Sequence, residues 1–144
     1  MTKEYLYEFA EENNINISYT DKLIKVNGLY MNIDNEDYII LDNKLNGIEE
    51  KMVLGEEISH YKVGVTPTLP FATDYYNKLI RSINEFKAKK YLTQIFLPYK
   101  DFKRFLSKNY SKYDIANEAE VTEDIVEFAY YIYEPMLKGE FYGT

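Results

Sequence analysis

Two glutamates and a histidine occur within five residues in the stretch MVLGEEISHYKVG, Met52 to Gly64, which contains the only histidine of the chain. In a helix, Glu56 and His60 lie four residues apart and share a face, while Glu57 lies about 100° around the axis. The H-E-x-x-H motif has the same geometry: its first and fifth residues ligate zinc, and its second acts as general base. The five-residue pattern E-E-x-x-H therefore indicates either a variant metal helix or an acidic helix surface that contains a histidine by accident.

The flanking residues favour burial of this helix. Apolar side chains surround the acidic pair on nearly every side, at Ile48, Met52, Val53, Leu54, Ile58, Tyr61 and Val63. A helix that is apolar almost all round is a core helix. Because an uncompensated buried charge costs several kcal/mol, Glu56 and Glu57 would require a metal, another cation or protonation.

A metal site needs a further ligand from another element, and Glu85 is the candidate. In RSINEFKAKKYL, Glu85 and Ala88 lie three residues apart on one helix face. The small alanine would let a second helix approach the acid closely. Spacing alone favours a different interpretation, in which Glu85 forms an ion pair with Arg81 or Lys89 at i, i+4 on a solvated surface.

The composition limits the kinds of site and partner. With no cysteine, the chain cannot form a disulfide, a thiolate metal site or a cysteine nucleophile. The formal charge of −7, from 24 acidic and 17 basic residues, argues against a nucleic-acid or anionic-membrane partner. The N-terminal MTKEYLYEFAEENN lacks the features of a signal peptide, and no apolar run approaches the ~18 residues of a membrane span. We therefore expect a cytoplasmic protein without membrane or direct nucleic-acid contacts.

The elements that must position these residues form an α+β pattern. Apolar periodicity predicts a helix over Lys3–Glu12, with Thr2 as N-cap. From Ile15 to Leu45, β-branched and aromatic residues predict three short antiparallel strands, within INISYTD, KLIKVNGLYMNI and DYIILD. The helical pattern resumes at Asn46 with the motif helix, continues through a loop TPTLPFA, and then predicts a long helix from Thr73 to Leu97.

Three shorter helices are predicted after Pro98: YKDFKRFLSK, then SKYDIANEAE behind Ser111, then EDIVEFAYYIYE behind Thr122. The last two have the rhythm of a helix-turn-helix. Residues 111–134, however, contain seven acids against Lys112 alone, and phosphate would repel them. We interpret this pair as a packing or protein-docking element. Since no linker or repeat is visible, we predict one domain over residues 1–144, with a C-terminal helical portion at about 98–137.

The order of these segments resembles the ImmA/IrrE family of metallo-endopeptidases. LIKVNGLYMNIDNEDYIILDNKLNGIEEKMVLGEEISHYKVG is similar to the family's strand, Gly-Leu-Tyr, strand and motif-helix order, and NEFKAKKYLTQIFLPYKDF to its E-x-x-A helix followed by leucine and proline. YDIANEAEVTEDIVEFAYYIY is similar to its C-terminal helices. The resemblance implies a zincin-like motif helix, with a small antiparallel three-stranded sheet packed on a helical domain. It also implies a phage or prophage protein with a protein substrate, typically a repressor.

By this resemblance, Glu56, His60 and Glu85 fall on the metal-ligand positions and Glu57 on the general base. Phage-type members often have Glu at the first motif position. Zinc is the implied metal; because two carboxylates and one imidazole cancel its charge, water activation should be weaker, and manganese or iron becomes more competitive. The implied function is a metal-dependent endopeptidase. The alternative is a catalytically inactive relative that binds a repressor or host protein.

Overall fold

The computed structural model describes residues 1–64 and 72–142. The α+β class is confirmed. The described elements are α1 (Lys3–Glu12), β1 (Ile15–Thr20), β2 (Gly28–Ile33), β3 (Glu36–Asp42), α2 (Gly47–Val63), α3 (Asp74–Phe96), α4 (Tyr99–Ser107), α5 (Lys112–Ala119) and α6 (Glu123–Tyr142). The chain forms two compact units, Met1–Tyr91 and Leu92–Thr144, so the single domain remains a prediction. The predicted loop TPTLPFA lies outside the described residues except for Ala72.

The first helix has the predicted bounds and the predicted N-cap. The Thr2 hydroxyl accepts a hydrogen bond from the Tyr5 backbone N–H at 3.2 Å, which satisfies one of the free donors at the helix start. Leu6 and Ala10, four residues apart, form its buried face. Asn14 then adopts a left-handed conformation with φ 57°, so the helix ends and β1 begins at the next residue.

The three predicted strands are confirmed, but the prediction of a wholly antiparallel sheet is wrong. The strand order is β1-β3-β2, with β2 antiparallel and β1 parallel to the central strand β3. Asp34 and Asn35, both at positive φ, form the tight turn that makes β2 and β3 an antiparallel hairpin. Residues 21–27 instead carry the chain from β1 to the opposite edge of the sheet. A connection of that kind leaves strand direction undetermined by local sequence.

The motif helix α2 is a core helix in its central turns, as predicted. It packs against α1, β2 and β3, and Met52, Leu54 and Ile58 are buried. Its small residues are buried too, with the Ser59 hydroxyl donating a hydrogen bond to the Gly55 carbonyl oxygen at 2.7 Å. The predicted burial of Ile48 is wrong, because this residue lies in the first turn and is 48% exposed.

Gly28 at the start of β2 allows α2 to approach the sheet closely. A Cβ at this position would lie 2.6 Å from Val53 Cγ1 and 3.2 Å from Glu57 Cγ. We therefore expect Gly28→Ala to lower the free energy of unfolding by ~1–3 kcal/mol in urea denaturation, because strand or helix must shift. Gly139→Ala in α6 is the control: its Cβ meets nothing within 4 Å, and helix propensity should raise stability by up to ~1 kcal/mol. Equal stabilities of Gly28→Ala and the parent would contradict this packing.

The second unit contains the three shorter predicted helices. Helix α4 follows Pro98, and α5 begins with a capping box in which the side chains of Ser111 and Asp114 each accept a hydrogen bond from the other residue's backbone N–H. Helix α6 packs on α4 and α5 and continues beyond the predicted Glu134 to Tyr142. Among the described residues, no helix combines the length and apolar character that a membrane span requires.

Candidate metal centre

Helix α2 brings three potential metal-ligating side chains together. Glu56, Glu57 and His60 each offer a ligand atom, and these atoms all lie within 4.8 Å of one another. Glu57 and His60 are buried, each at 8% exposure, while Glu56 is half-buried. The Tyr30 backbone N–H donates a hydrogen bond to the Glu57 carboxylate, so strand β2 fixes the orientation of this side chain.

Helix α3 adds Glu85 to this cluster. Glu85 Oε1 lies 3.3 Å from His60 Nε2, and Ala88, one turn further along α3, is completely buried. Within the described residues, Glu85 forms no ion pair with Arg81; the ion pair with Lys89 that the spacing also suggested stays a prediction. The Glu85 side chain keeps 63% of its surface exposed, which leaves the cluster open to solvent on this side.

One pair of donor atoms, His60 Nε2 and Glu85 Oε1, has a separation that a shared divalent metal ion would give. Two ligand atoms bound at about 2.0–2.1 Å with a tetrahedral angle between them lie about 3.4 Å apart, close to the observed separation of His60 and Glu85. Imidazole nitrogen and carboxylate oxygen are ligands that zinc, manganese and iron all accept. The three ligand atoms that lie within 4.8 Å of one another include that of Glu57, the predicted base, so the assignment of ligand and base among the glutamates stays a prediction.

The electrostatics of the cluster centre on Glu57. Burial, above all, raises the pKa of the Glu57 carboxyl, and the negative charges of Glu56 and Glu85 raise it further, to about 8. The hydrogen bond from Tyr30 acts in the opposite direction, because it favours the charged form. Without a cation, this site therefore holds one of its acids protonated at neutral pH.

The cluster lies in a cavity of about 610 Å³. Three segments line the cavity: Val26, Asn27, Gly28, Leu29 and Tyr30 in and just before β2; Val53, Glu56, Glu57 and His60 on α2; and Arg81, Asn84 and Glu85 on α3. Strand β2 is an edge strand of the described sheet. The Asn27 carbonyl accepts a hydrogen bond from the Asp42 N–H of β3. Hydrogen-bonded residues alternate along an antiparallel strand, so the backbone groups of Leu29 and Met31 bond to β3. Those of Gly28 and Tyr30 are directed to the free edge.

Several of these lining residues were not predicted as site residues. The sequence suggested Arg81 only as an ion-pair partner of Glu85, and Gly28 and Tyr30 only as parts of a strand. Asn84 is buried beside Glu85 although its sequence context is polar. The i, i+4 relation of Arg81 to Glu85 was the one available signal, because it puts both on the same helix face.

Comparison of this chain with protein-family models, with curated proteins and with solved structures gives no match.

Proposed function

We propose that this protein is a metal-dependent endopeptidase of the ImmA/IrrE type, which cleaves a protein substrate such as a phage or mobile-element repressor. The observation that carries the proposal is the 3.3 Å separation of His60 Nε2 and Glu85 Oε1, which joins two helices beside the buried Glu57 and the half-buried Glu56. If α2 had only an acidic, solvated surface, no carboxylate from a second helix would be needed beside His60.

In this proposal Glu56, His60 and Glu85 hold the metal, zinc in the first place, with manganese or iron as alternatives. A bound divalent metal would polarise the peptide carbonyl and acidify water. Glu57 is the general base that takes the proton from the attacking water and passes it to the leaving amine. Its hydrogen bond to the Tyr30 N–H supports this role, because a backbone donor holds the carboxylate beside the strand that lines the cavity.

The substrate class follows from the free edge of β2. The outward-directed N–H and C=O of Gly28 and the C=O of Tyr30 can pair with an extended peptide, which would add as a further strand beside Glu57; the Tyr30 N–H is already bonded to the Glu57 carboxylate. Such pairing binds the main chain of the peptide independently of its side chains. An endopeptidase requires this kind of binding, because it cleaves bonds within a polypeptide. Folded substrates would need an extended segment to enter.

Metal loading tests the proposal. We expect saturating zinc or manganese to raise the melting temperature of the purified chain by several degrees, since a ligand at 100 times its Kd contributes ~2.7 kcal/mol. Glu85→Ala should weaken metal affinity more than ~100-fold, because even second-layer partners of metal ligands are worth 10- to 100-fold. Glu8→Ala, which removes an exposed glutamate from α1 far along the chain from the cavity residues, is the matched control. An unchanged melting temperature at saturating metal would refute the metal site.

The second candidate function is a non-catalytic protein that binds a repressor or host protein. The feature that favours it is Glu56, a carboxylate at the first motif position where H-E-x-x-H has histidine, because two carboxylates and one imidazole would cancel the charge of a divalent metal and weaken water activation. Incubation of the metal-loaded chain with candidate repressors separates the two functions: cleavage supports the endopeptidase, and stable complex formation without cleavage supports the binding protein.

A further inference from the structure

Arg81 is the only lysine or arginine among the described residues that line the cavity. Its side chain is exposed, and within residues 1–64 and 72–142 it forms no ion pair. This is notable because Glu56, Glu57 and Glu85 line the same cavity, and Glu85 is directed to His60 instead. The guanidinium thus keeps its five N–H donors available to a ligand that enters the cavity.

The position of Arg81 relates it to the scissile bond of a bound peptide. Arg81 precedes Glu85 by four residues, so the two share a face of α3 and lie about 6 Å apart along the helix axis. An extended peptide advances about 3.3 Å per residue, so this offset corresponds to one or two residues. A peptide that runs along α3 from the metal-ligating end of the cavity would pass Arg81 within two residues of the bond to be cleaved.

The charge of the cavity favours a carboxylate at this point. Three carboxylates line the cavity, and a divalent ion together with the Arg81 guanidinium would balance them. Without Arg81, the loaded cavity would keep a net negative charge and repel an acidic ligand. Arginine binds a carboxylate with two parallel hydrogen bonds, a geometry that lysine cannot reproduce.

We propose that Arg81 is a specificity-determining residue that binds a carboxylate of the peptide substrate one or two residues from the scissile bond. This inference rests on the proposed endopeptidase function. The carboxylate is an Asp or Glu side chain within the polypeptide, because an enzyme that binds a C-terminal carboxylate this close to the cleaved bond would be an exopeptidase.

The experiment uses synthetic hexapeptide pools with randomised positions, incubated with the zinc-loaded full chain. One pool is N-acetylated and C-amidated, and the other has free C-termini; cleaved bonds are identified by mass spectrometry. We expect Asp and Glu to be enriched about tenfold within two residues of the cleaved bond. In Arg81→Gln this enrichment should disappear, and in Arg81→Glu, lysine and arginine should replace the acids. If only free C-termini promote cleavage, the recognised group is the chain end, and both the side-chain specificity and the endopeptidase are overturned.

Controls separate recognition from structure. Lys87→Gln removes the same charge from an exposed position of α3 outside the cavity and should leave the preference unchanged. Arg81→Gln should melt like the parent and raise KM for acidic peptides more than for neutral peptides. Arg81→Lys should recover only part of the preference, because it restores charge without the bidentate geometry.

A second readout does not depend on turnover. We expect the zinc-loaded Glu57→Gln chain, immobilised, to retain acidic peptides from the amidated pool about tenfold better than the same chain carrying Arg81→Gln. If peptides are cleaved or retained without any Arg81-dependent preference, the inference about Arg81 is overturned while the endopeptidase stands. Failure to retain any peptide also overturns the inference about Arg81. Arg81-dependent retention by a chain that binds no metal and cleaves no peptide supports carboxylate binding and removes the endopeptidase.

Discussion

Glu57→Gln is expected to lower kcat/KM for peptide cleavage by ~10²–10⁴-fold, the usual contribution of a general base. The amide keeps the size of the side chain and can still accept the hydrogen bond from the Tyr30 N–H, but it cannot take a proton from water. Glu56, His60 and Glu85 remain unchanged in this variant. Metal affinity should therefore persist while cleavage is lost.

The measurement is cleavage of a peptide or repressor substrate, paired with metal content of the same preparation. Glu49→Gln is the matched control, since Glu49 is an exposed glutamate in the first turn of the same helix. It should retain parental activity. A Glu57→Gln chain that cleaves as fast as the parent would remove Glu57 from the mechanism, and one that loses metal would make Glu57 a ligand.

The second large effect is on the pH dependence of stability in the metal-free chain. The pKa of Glu57 is raised from 4.5 to about 8 in the folded state, chiefly by burial. Above pH 4.5 the unfolded chain releases this proton while the folded chain retains it, so the folded state binds more protons and its stability falls as pH rises. The loss begins near pH 4.5, is complete above pH 8, and amounts to at most ~5 kcal/mol.

Urea unfolding between pH 4 and pH 9 measures this effect as the difference between the parent and Glu57→Gln. The variant lacks the titrating group, so it should gain stability relative to the parent as the pH rises through this window. Zinc should flatten the parent's profile, because a divalent cation offsets the negative charges that surround Glu57. Parallel profiles for parent and variant would contradict the raised pKa.

Both predictions concern Glu57, because its burial in the cluster lowers the stability of the metal-free chain and raises the basicity of the carboxylate. Burying Glu57 beside Glu56 and Glu85 costs stability in the metal-free chain. The same burial raises the basicity of the carboxylate, which favours proton abstraction once a cation allows it to ionise. A local conflict of this kind, in an otherwise consistent core helix, is typical of a functional site.

The sequence by itself determined the local elements and the helical part of the candidate site. Thr2 and the spacing of Leu6 and Ala10 predicted α1 to the residue, because capping and apolar periodicity are local properties. The same holds for Glu56 and His60, whose four-residue spacing puts them on one face of any helix. The apolar flanks of α2 likewise predicted that Glu57 would be buried, since a helix with apolar residues all round must lie in a core.

Only the tertiary structure decided what these residues meet. Spacing alone favoured an ion pair within α3 for Glu85, and only the family resemblance predicted its place beside His60, where the packing of α3 brings it. The parallel pairing of β1 with β3 was not predictable, because strand direction depends on how residues 21–27 cross the sheet and not on strand composition. The same long-range arrangement brings the Tyr30 N–H to Glu57 and Arg81 into the cavity. Contacts between distant segments are set by the packing of whole elements, and no local pattern encodes them.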